Sequence, residues 1–147
     1  MLTRKLPTVV RVLLGLVFFV FGLNGFLQFL PQPPMPGPAG QFIGALVASG
    51  YLFPLLKLTE VVAGAMLLAN RFVPLALALL APIIVNIAAF HTLLAPGYPM
   101  VAFLLGTELY LAWVYRDAFR PMLRAAVAPR VGEAESSAPS AKAAAPA

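Results

Sequence analysis

Four apolar runs, each of a length that can cross a lipid bilayer as a helix, fill most of this sequence. They cover about residues 9–30, 52–69, 72–94 and 99–116, and about 20 helical residues span the hydrocarbon core. The 147 residues are 61% hydrophobic and 10% charged, whereas a soluble domain is about 45–50% apolar and about 25% charged. One domain of this length cannot bury so much apolar surface, so lipid must cover the remainder. The sequence therefore predicts an all-α integral membrane four-helix bundle.

Prolines and glycines separate the runs. The segment 31–38, PQPPMPGP, cannot continue the first helix, because proline lacks the amide hydrogen. The apolar stretch 41–49 that follows would extend only about 13 Å as a helix, so we predict a short extra helix at the outer interface. Pro82 lies deep inside the third run, where we expect it to kink the helix and to free the carbonyl of Ala78.

The end of the chain differs in composition from the rest. Residues 125–147 are rich in Ala, Pro and Ser and carry almost no bulky apolar side chain. Such a segment buries too little apolar surface to offset the entropy lost on ordering. We therefore predict a transmembrane domain at 1–124 and a disordered cytoplasmic tail at 125–147.

Basic residues lie on one side of the predicted bundle. The first and third connections, 31–50 and 95–98, contain no Lys or Arg, so the positive-inside rule places both chain ends in the cytoplasm. Because these charges flank apolar runs, we interpret them as orientation signals and lipid-headgroup contacts, not as a nucleic-acid surface. The flanking basic residues are Arg4, Lys5, Arg11, Arg71, Arg116, Arg120 and Arg124.

Polar residues interrupt all four runs. A charged side chain at the centre of a membrane helix costs about 2.5–3.5 kcal/mol on insertion scales, so such residues usually have a partner or a role. Counted from the predicted topology, the polar residues lie in the middle-to-outer half of the bilayer, which predicts one polar pocket open to the outside. The predicted members of this pocket are Asn24, Gln28, Lys57, Glu60, Asn86, His91 and Glu108.

Helical spacing adds detail to the first two runs. Lys57 and Glu60 are three residues apart, on one helix face, where they can form an ion pair. Asn24 and Gln28 are four apart and are expected to share a face. Small residues at the contact let two membrane helices approach closely, so we expect the Glu60 face of the second helix to point into the bundle. The small residues that support this are Gly15, Gly22, Gly25 and Gly64.

Each polar residue also has a purely structural interpretation. The Lys57–Glu60 pair can serve only to join helices, and Glu108 can be a protonated carboxyl group hydrogen-bonded to Asn86 or Asn24. His91 is the single histidine, which is too few for a haem or metal site of its own. The sequence has no cysteine, so thiolate ligands, disulfides and iron–sulfur clusters are excluded. We predict no metal site and no intrinsic cofactor.

The order of these features resembles the DoxX family of small bacterial four-helix membrane proteins. The resemblance is carried by RVLLGLVFFVFGLNGF (11–26), GYLFPLLKLTEVVAGAMLL (50–68), NRFVPLALALLAP (70–82) and ELYLAWVYRDAFRP (108–121). Its most specific element is the acidic residue followed by small residues at 60–64.

The resemblance implies a multi-pass protein of the bacterial inner membrane. The family is similar to the small subunit of thiosulfate:quinone oxidoreductase and is associated with membrane oxidoreductases and with thiol and oxidative-stress homeostasis. Family members often carry a basic residue late in the first helix, where this sequence has Asn24.

Three hypotheses from different classes follow. In the first, the chain is an accessory subunit of a membrane oxidoreductase, and its pocket binds quinone. Glu60 and Glu108 would exchange protons, Asn24, Asn86 and Lys57 would bond quinone oxygens, and a membrane or soluble partner protein would supply electrons. The second is a small-solute transporter or channel, which would need oligomerisation because no internal repeat is present. The third is a non-catalytic assembly partner in the membrane. The sequence leaves open whether the chain is an enzyme and whether it oligomerises.

Overall fold

The structure is a computed structural model that describes residues 2–127, and helices make up most of that part of the chain. Residues 128–147 of the predicted tail lie outside the described residues. The helices, in chain order, are α1 (Leu2–Leu27), α2 (Gly37–Ala48), α3 (Leu52–Leu68), α4 (Val73–Leu93), α5 (Tyr98–Val114) and α6 (Arg116–Phe119), followed by a single 3-10 turn at Arg120–Leu123.

The observed helices follow the predicted runs, with differences at their ends. Helix α1 begins at Leu2, seven residues before the predicted start at 9, and α5 ends at Val114, two residues before the predicted end at 116. Helix α2 begins at Gly37, four residues before the predicted start at 41, because Pro38 occupies its first turn, where a missing amide hydrogen has no cost. Helix α1 ends at Leu27 and not at residue 30, because Gln28 adopts a left-handed conformation with φ of 51°. Helix α4 continues through Pro82 from Val73 to Leu93.

Two of the helices are long and apolar enough to cross a membrane. These are α1, from Lys5 to Leu27, and α4, from Val73 to Leu93. Helices α2 and α3 meet at 90° and would add a third crossing if the bent pair were taken as one span. Helix α5 is apolar but has 17 residues. By length and composition, the described residues thus contain two helices that could cross a membrane, or three if the bent pair is one span.

The helices pack in a closed order. Helix α1 lies against α3, α3 against α4, α4 against α5, and α5 returns to α1. Their inward faces form one apolar core, in which α3 contributes Ala63 and Leu67 beside Glu60 and Gly64. The prediction that the Glu60 face points inward is therefore confirmed. The largest fully buried apolar side chains of the core are Leu14, Leu67, Leu77, Leu80, Ile84 and Leu111.

Glycines allow α1 and α3 to touch along their backbones. A Cβ atom at Gly64 would lie 2.6 Å from the backbone nitrogen of Phe19 and 2.9 Å from the carbonyl oxygen of Gly15. Real Cβ atoms essentially never approach so closely. A Cβ atom at Gly22 would likewise lie 2.9 Å from the backbone nitrogen of Val61. The predicted close packing of these two helices is confirmed.

Arg11 has a role that the sequence did not indicate. Its side chain is 6% exposed, and its guanidinium group donates hydrogen bonds to the carbonyl oxygens of Leu67 and Leu68. The last carbonyls of a helix lack partners within the helix, and a cation near that end is favourable. Arg11 therefore caps the end of α3. The prediction that it serves only as an orientation signal and a lipid-headgroup contact is wrong.

We expect Arg11→Met to destabilise the protein, because the change removes the hydrogen bonds that the buried guanidinium group donates to the carbonyl oxygens of Leu67 and Leu68. Losing hydrogen bonds to a charged group costs about 1.5–3 kcal/mol. Lys5→Met is the matched control, since it removes the same charge from the same end of α1 at an exposed position and should stay within about 0.5 kcal/mol of the wild type. Unfolding in mixed micelles measures both. Equal stability losses in the two variants would contradict the capping role.

Candidate functional site

The polar residues at the end of α1 open onto a cavity of about 870 Å³. Its walls come from the last turn of α1, the connection after it, helix α2 and the first turns of α3. Asn24, Gln28 and Lys57 supply polar groups, and apolar side chains from α2 and α3 complete the lining. The apolar lining residues include Ile43, Val47 and Phe53.

Asn24, which lines this cavity, has an unpaired donor among the described residues. Its side chain is 2% exposed, and its Oδ1 atom accepts a hydrogen bond of 2.7 Å from the amide of Leu30. Its Nδ2 atom is buried and has no hydrogen-bond partner within the described chain. Leaving a buried polar group unsatisfied costs about 1–3 kcal/mol. A ligand whose acceptor oxygen comes within hydrogen-bond distance of this Nδ2 atom would remove this cost.

Lys57 and Glu60 form the ion pair that their spacing predicts. The Nζ atom of Lys57 lies 2.8 Å from Oε2 of Glu60, and the two side chains are 17% and 4% exposed. The stem of Lys57 fills the space that Gly25 leaves open on α1, and its ammonium group lies 5.6 Å from the centre of the Phe53 ring. The ion pair thus bridges the cavity and the buried face of α3.

Gln28 lines the cavity, but it does so from a position just past α1 and not from the predicted helix face. Because its backbone is left-handed, it lies just past the end of α1 and does not share a helix face with Asn24. The left-handed residue is the common way in which a helix ends. Gln28 is exposed and forms part of the cavity lining. The same-face prediction is wrong, whereas the proximity of the two residues is correct.

Asn86 lies away from this cavity. It is exposed on α4 and borders a separate groove of about 480 Å³, across which Phe42 of α2 stands. The buried face of α4 consists of other residues, among them Ala76, Leu80 and Ile84. A helix this apolar on all sides gives no sequence signal for which face turns inward.

His91 and Glu108 also lie outside the cavity lining. The Nδ1 atom of His91 is 2.9 Å from the carbonyl oxygen of Ala95, and its ring packs edge-on against Phe90. The histidine therefore secures the turn after α4. Glu108 is buried on α5, and its Oε2 atom has no hydrogen-bond partner among the described residues. Its predicted bond to Asn86 or Asn24 is not formed.

The prediction of one pocket with seven members is therefore corrected. Asn24, Gln28 and Lys57 line the α1–α3 cavity, and Glu60 is joined to it through Lys57. The other three predicted members belong to three different places in the fold. Residues 31–35 also form a wall of the cavity, although they were not among its predicted members. Their position could have been predicted, because the chain must double back immediately after α1 to reach α2.

The cavity can hold a ligand that accepts hydrogen bonds. Asn24 and Gln28 offer amide donors, and Lys57 offers an ammonium group, while Phe53 and Ile43 offer apolar surface. A ring or chain with carbonyl oxygens matches both kinds of lining. Within residues 2–127, His, Asp and Glu side chains do not come together in a group of three or more that could hold a metal ion.

Comparison of this chain with protein-family models, curated proteins and solved structures gives no match.

We expect Lys57→Met alone to destabilise the protein strongly, because it leaves the carboxyl group of Glu60 buried without its partner. Removing one member of a buried ion pair costs about 3–5 kcal/mol, whereas replacing both by apolar groups is often neutral. The double variant Lys57→Met, Glu60→Met should therefore recover most of the lost stability. Chemical unfolding of the three proteins measures this.

The exposed pair of Arg120 and Asp117 serves as the control. Its side chains are 72% and 71% exposed, so Arg120→Met should change stability by less than about 0.5 kcal/mol. A double variant of Lys57 and Glu60 that is less stable than Lys57→Met would show that the pair does not act as a unit.

Proposed function

We propose that this chain is a four-span protein of the bacterial inner membrane that resembles the DoxX family and has both ends in the cytoplasm. Helices α3 and α5 have 17 residues each, which is at the short end of the length that crosses a bilayer. Large apolar side chains are exposed around the helices, as a lipid environment requires. The 90° angle between α2 and α3 suits a helix α2 that lies along the outer membrane surface.

We further propose that the α1–α3 cavity binds the head group of a quinone, as an accessory subunit of a membrane oxidoreductase would. The observation that carries this proposal is that Asn24, whose Nδ2 atom has no hydrogen-bond partner among the described residues, lines the same cavity as Lys57. A quinone presents two carbonyl acceptors on a flat apolar ring. Asn24 and Lys57 would donate to these oxygens, and the ring would lie against Phe53 and Ile43.

The other residues have supporting roles in this proposal. Glu60 holds the ammonium group of Lys57 in place at 2.8 Å, and Gly25 leaves the room in which the lysine stem lies. Glu108 and Asn86 do not line the cavity and are given no part in ligand binding. Since the sequence contains no cysteine and a single histidine, we propose that a partner protein provides the electrons that the quinone accepts.

We expect ubiquinone or menaquinone to copurify with the wild-type protein from native membranes. Asn24→Leu should lower the affinity for an added short-chain quinone about 2- to 13-fold, which corresponds to the net loss of one hydrogen bond of about 0.5–1.5 kcal/mol. Mass spectrometry of extracted lipids and titration in nanodiscs measure the two effects.

Asn86→Leu is the matched control, because it makes the same chemical change outside the cavity. It should leave the quinone affinity unchanged. Protein from native membranes that carries no quinone and binds none when titrated would refute the proposal, as would equal losses of affinity in the two asparagine variants.

A further inference from the structure

Helix α4 carries a strip of exposed side chains at heptad spacing. The positions follow one another at alternating steps of four and three residues, the spacing that keeps one face of a helix in continuous contact with a partner helix. All six are exposed. This strip, called the α4 seam below, consists of Leu75, Leu79, Pro82, Asn86, Ala89 and Leu93.

The α4 seam faces away from the protein's own core. The residues that α4 buries, such as Ala76, Leu80 and Ile84, lie on the opposite side of the helix and pack against α3 and α5. Three members of the seam are strongly apolar and exposed, with Leu75 at 49%, Leu79 at 37% and Leu93 at 80%. In a helix that crosses the bilayer, this face would meet lipid or another helix.

The polarity of Asn86 indicates whether the α4 seam contacts lipid or another helix. It lies near the middle of the seam, in one of the two helices that are long and apolar enough to cross a membrane. A carboxamide group in hydrocarbon has no hydrogen-bond partner, which is costly. Asparagine on the outer face of a membrane helix therefore favours association with another helix that supplies a polar group.

We infer that this helix is α4 of a second copy of the chain. An asparagine side chain has both a donor and an acceptor, so two Asn86 side chains can satisfy each other across a two-fold axis. Copies inserted in the same orientation hold Asn86 at the same depth, and the axis then runs along the membrane normal. A single asparagine within an apolar seam also fixes the register of two parallel helices.

The surface beside the seam has room for the second copy. A groove of about 480 Å³ runs along Pro82, Asn86, Ala89 and Leu93, and Phe42 of α2 stands across it. Phe42 is itself held by Phe90, whose ring centre lies 5.8 Å away. Side chains of a second α4 can enter this groove as those of a left-handed helix pair do. The association uses none of the residues that line the α1–α3 cavity.

Cysteine cross-linking in native membranes tests the inference, because the sequence contains no cysteine of its own and each introduced cysteine is the single reactive thiol of the chain. Single cysteines at Leu79, Ala89 and Leu93 should form disulfide-linked dimers on mild oxidation. Control cysteines at Val12 on α1 and Leu109 on α5, which are 38% and 67% exposed, should not. Cross-linking that is equal on all faces, absent from the seam, or directed to a different protein would overturn the inference.

Asn86→Leu gives a second and independent measurement. In bilayers that contain donor- and acceptor-labelled copies, energy transfer should report a dimer that dissociates about 3- to 30-fold more readily in this variant, as expected for the loss of an interhelical hydrogen bond. Asn24→Leu, which makes the same change inside the cavity, should dimerise like the wild type. An Asn86→Leu variant that dimerises as tightly as the wild type would refute pairing through Asn86.

Discussion

The close approach of α1 and α3 is the contact on which the rest of the structure depends. Gly64 lies so near the backbone of Phe19 and the carbonyl of Gly15 that no larger residue fits there. Lipid chains are as apolar as the helices, so association in a membrane depends on such close packing and on hydrogen bonds. The pair runs antiparallel, and a different kind of contact lies at each end of it.

At one end Arg11 binds the last carbonyls of α3, and at the other Lys57 lies over Gly25 and opens onto the cavity beside Asn24. The glycines between them hold both ends in register. The cavity therefore exists because the helices touch along their middle and the chain doubles back after α1, leaving space that α2 and residues 31–35 enclose. Two of the polar groups in this space, Asn24 and Lys57, are held by helices, which suits the binding of a head group of fixed shape.

The sequence was sufficient for features that depend on local pattern. Helix positions followed from apolar length and proline placement, the pairing of Lys57 with Glu60 from their spacing, and close packing from the glycines. The orientation of α4 did not follow, because a helix that is apolar on all sides carries no periodic signal, and Asn86 was therefore assigned to the wrong face. Burial of Arg11 was missed because the positive-inside pattern already accounted for its charge. Gln28 was assigned to the helix face of Asn24, but its left-handed backbone ends α1 before that residue.

Photolabelling tests most directly the proposal that the end of the α1–α3 contact binds a quinone head group. An azido-quinone bound to the protein in native membranes and then irradiated should label peptides that contain residues 24–28 or 53–57, and excess unlabelled quinone should compete. Labelling confined to the groove on α4, or labelling that excess quinone does not reduce, would contradict the account.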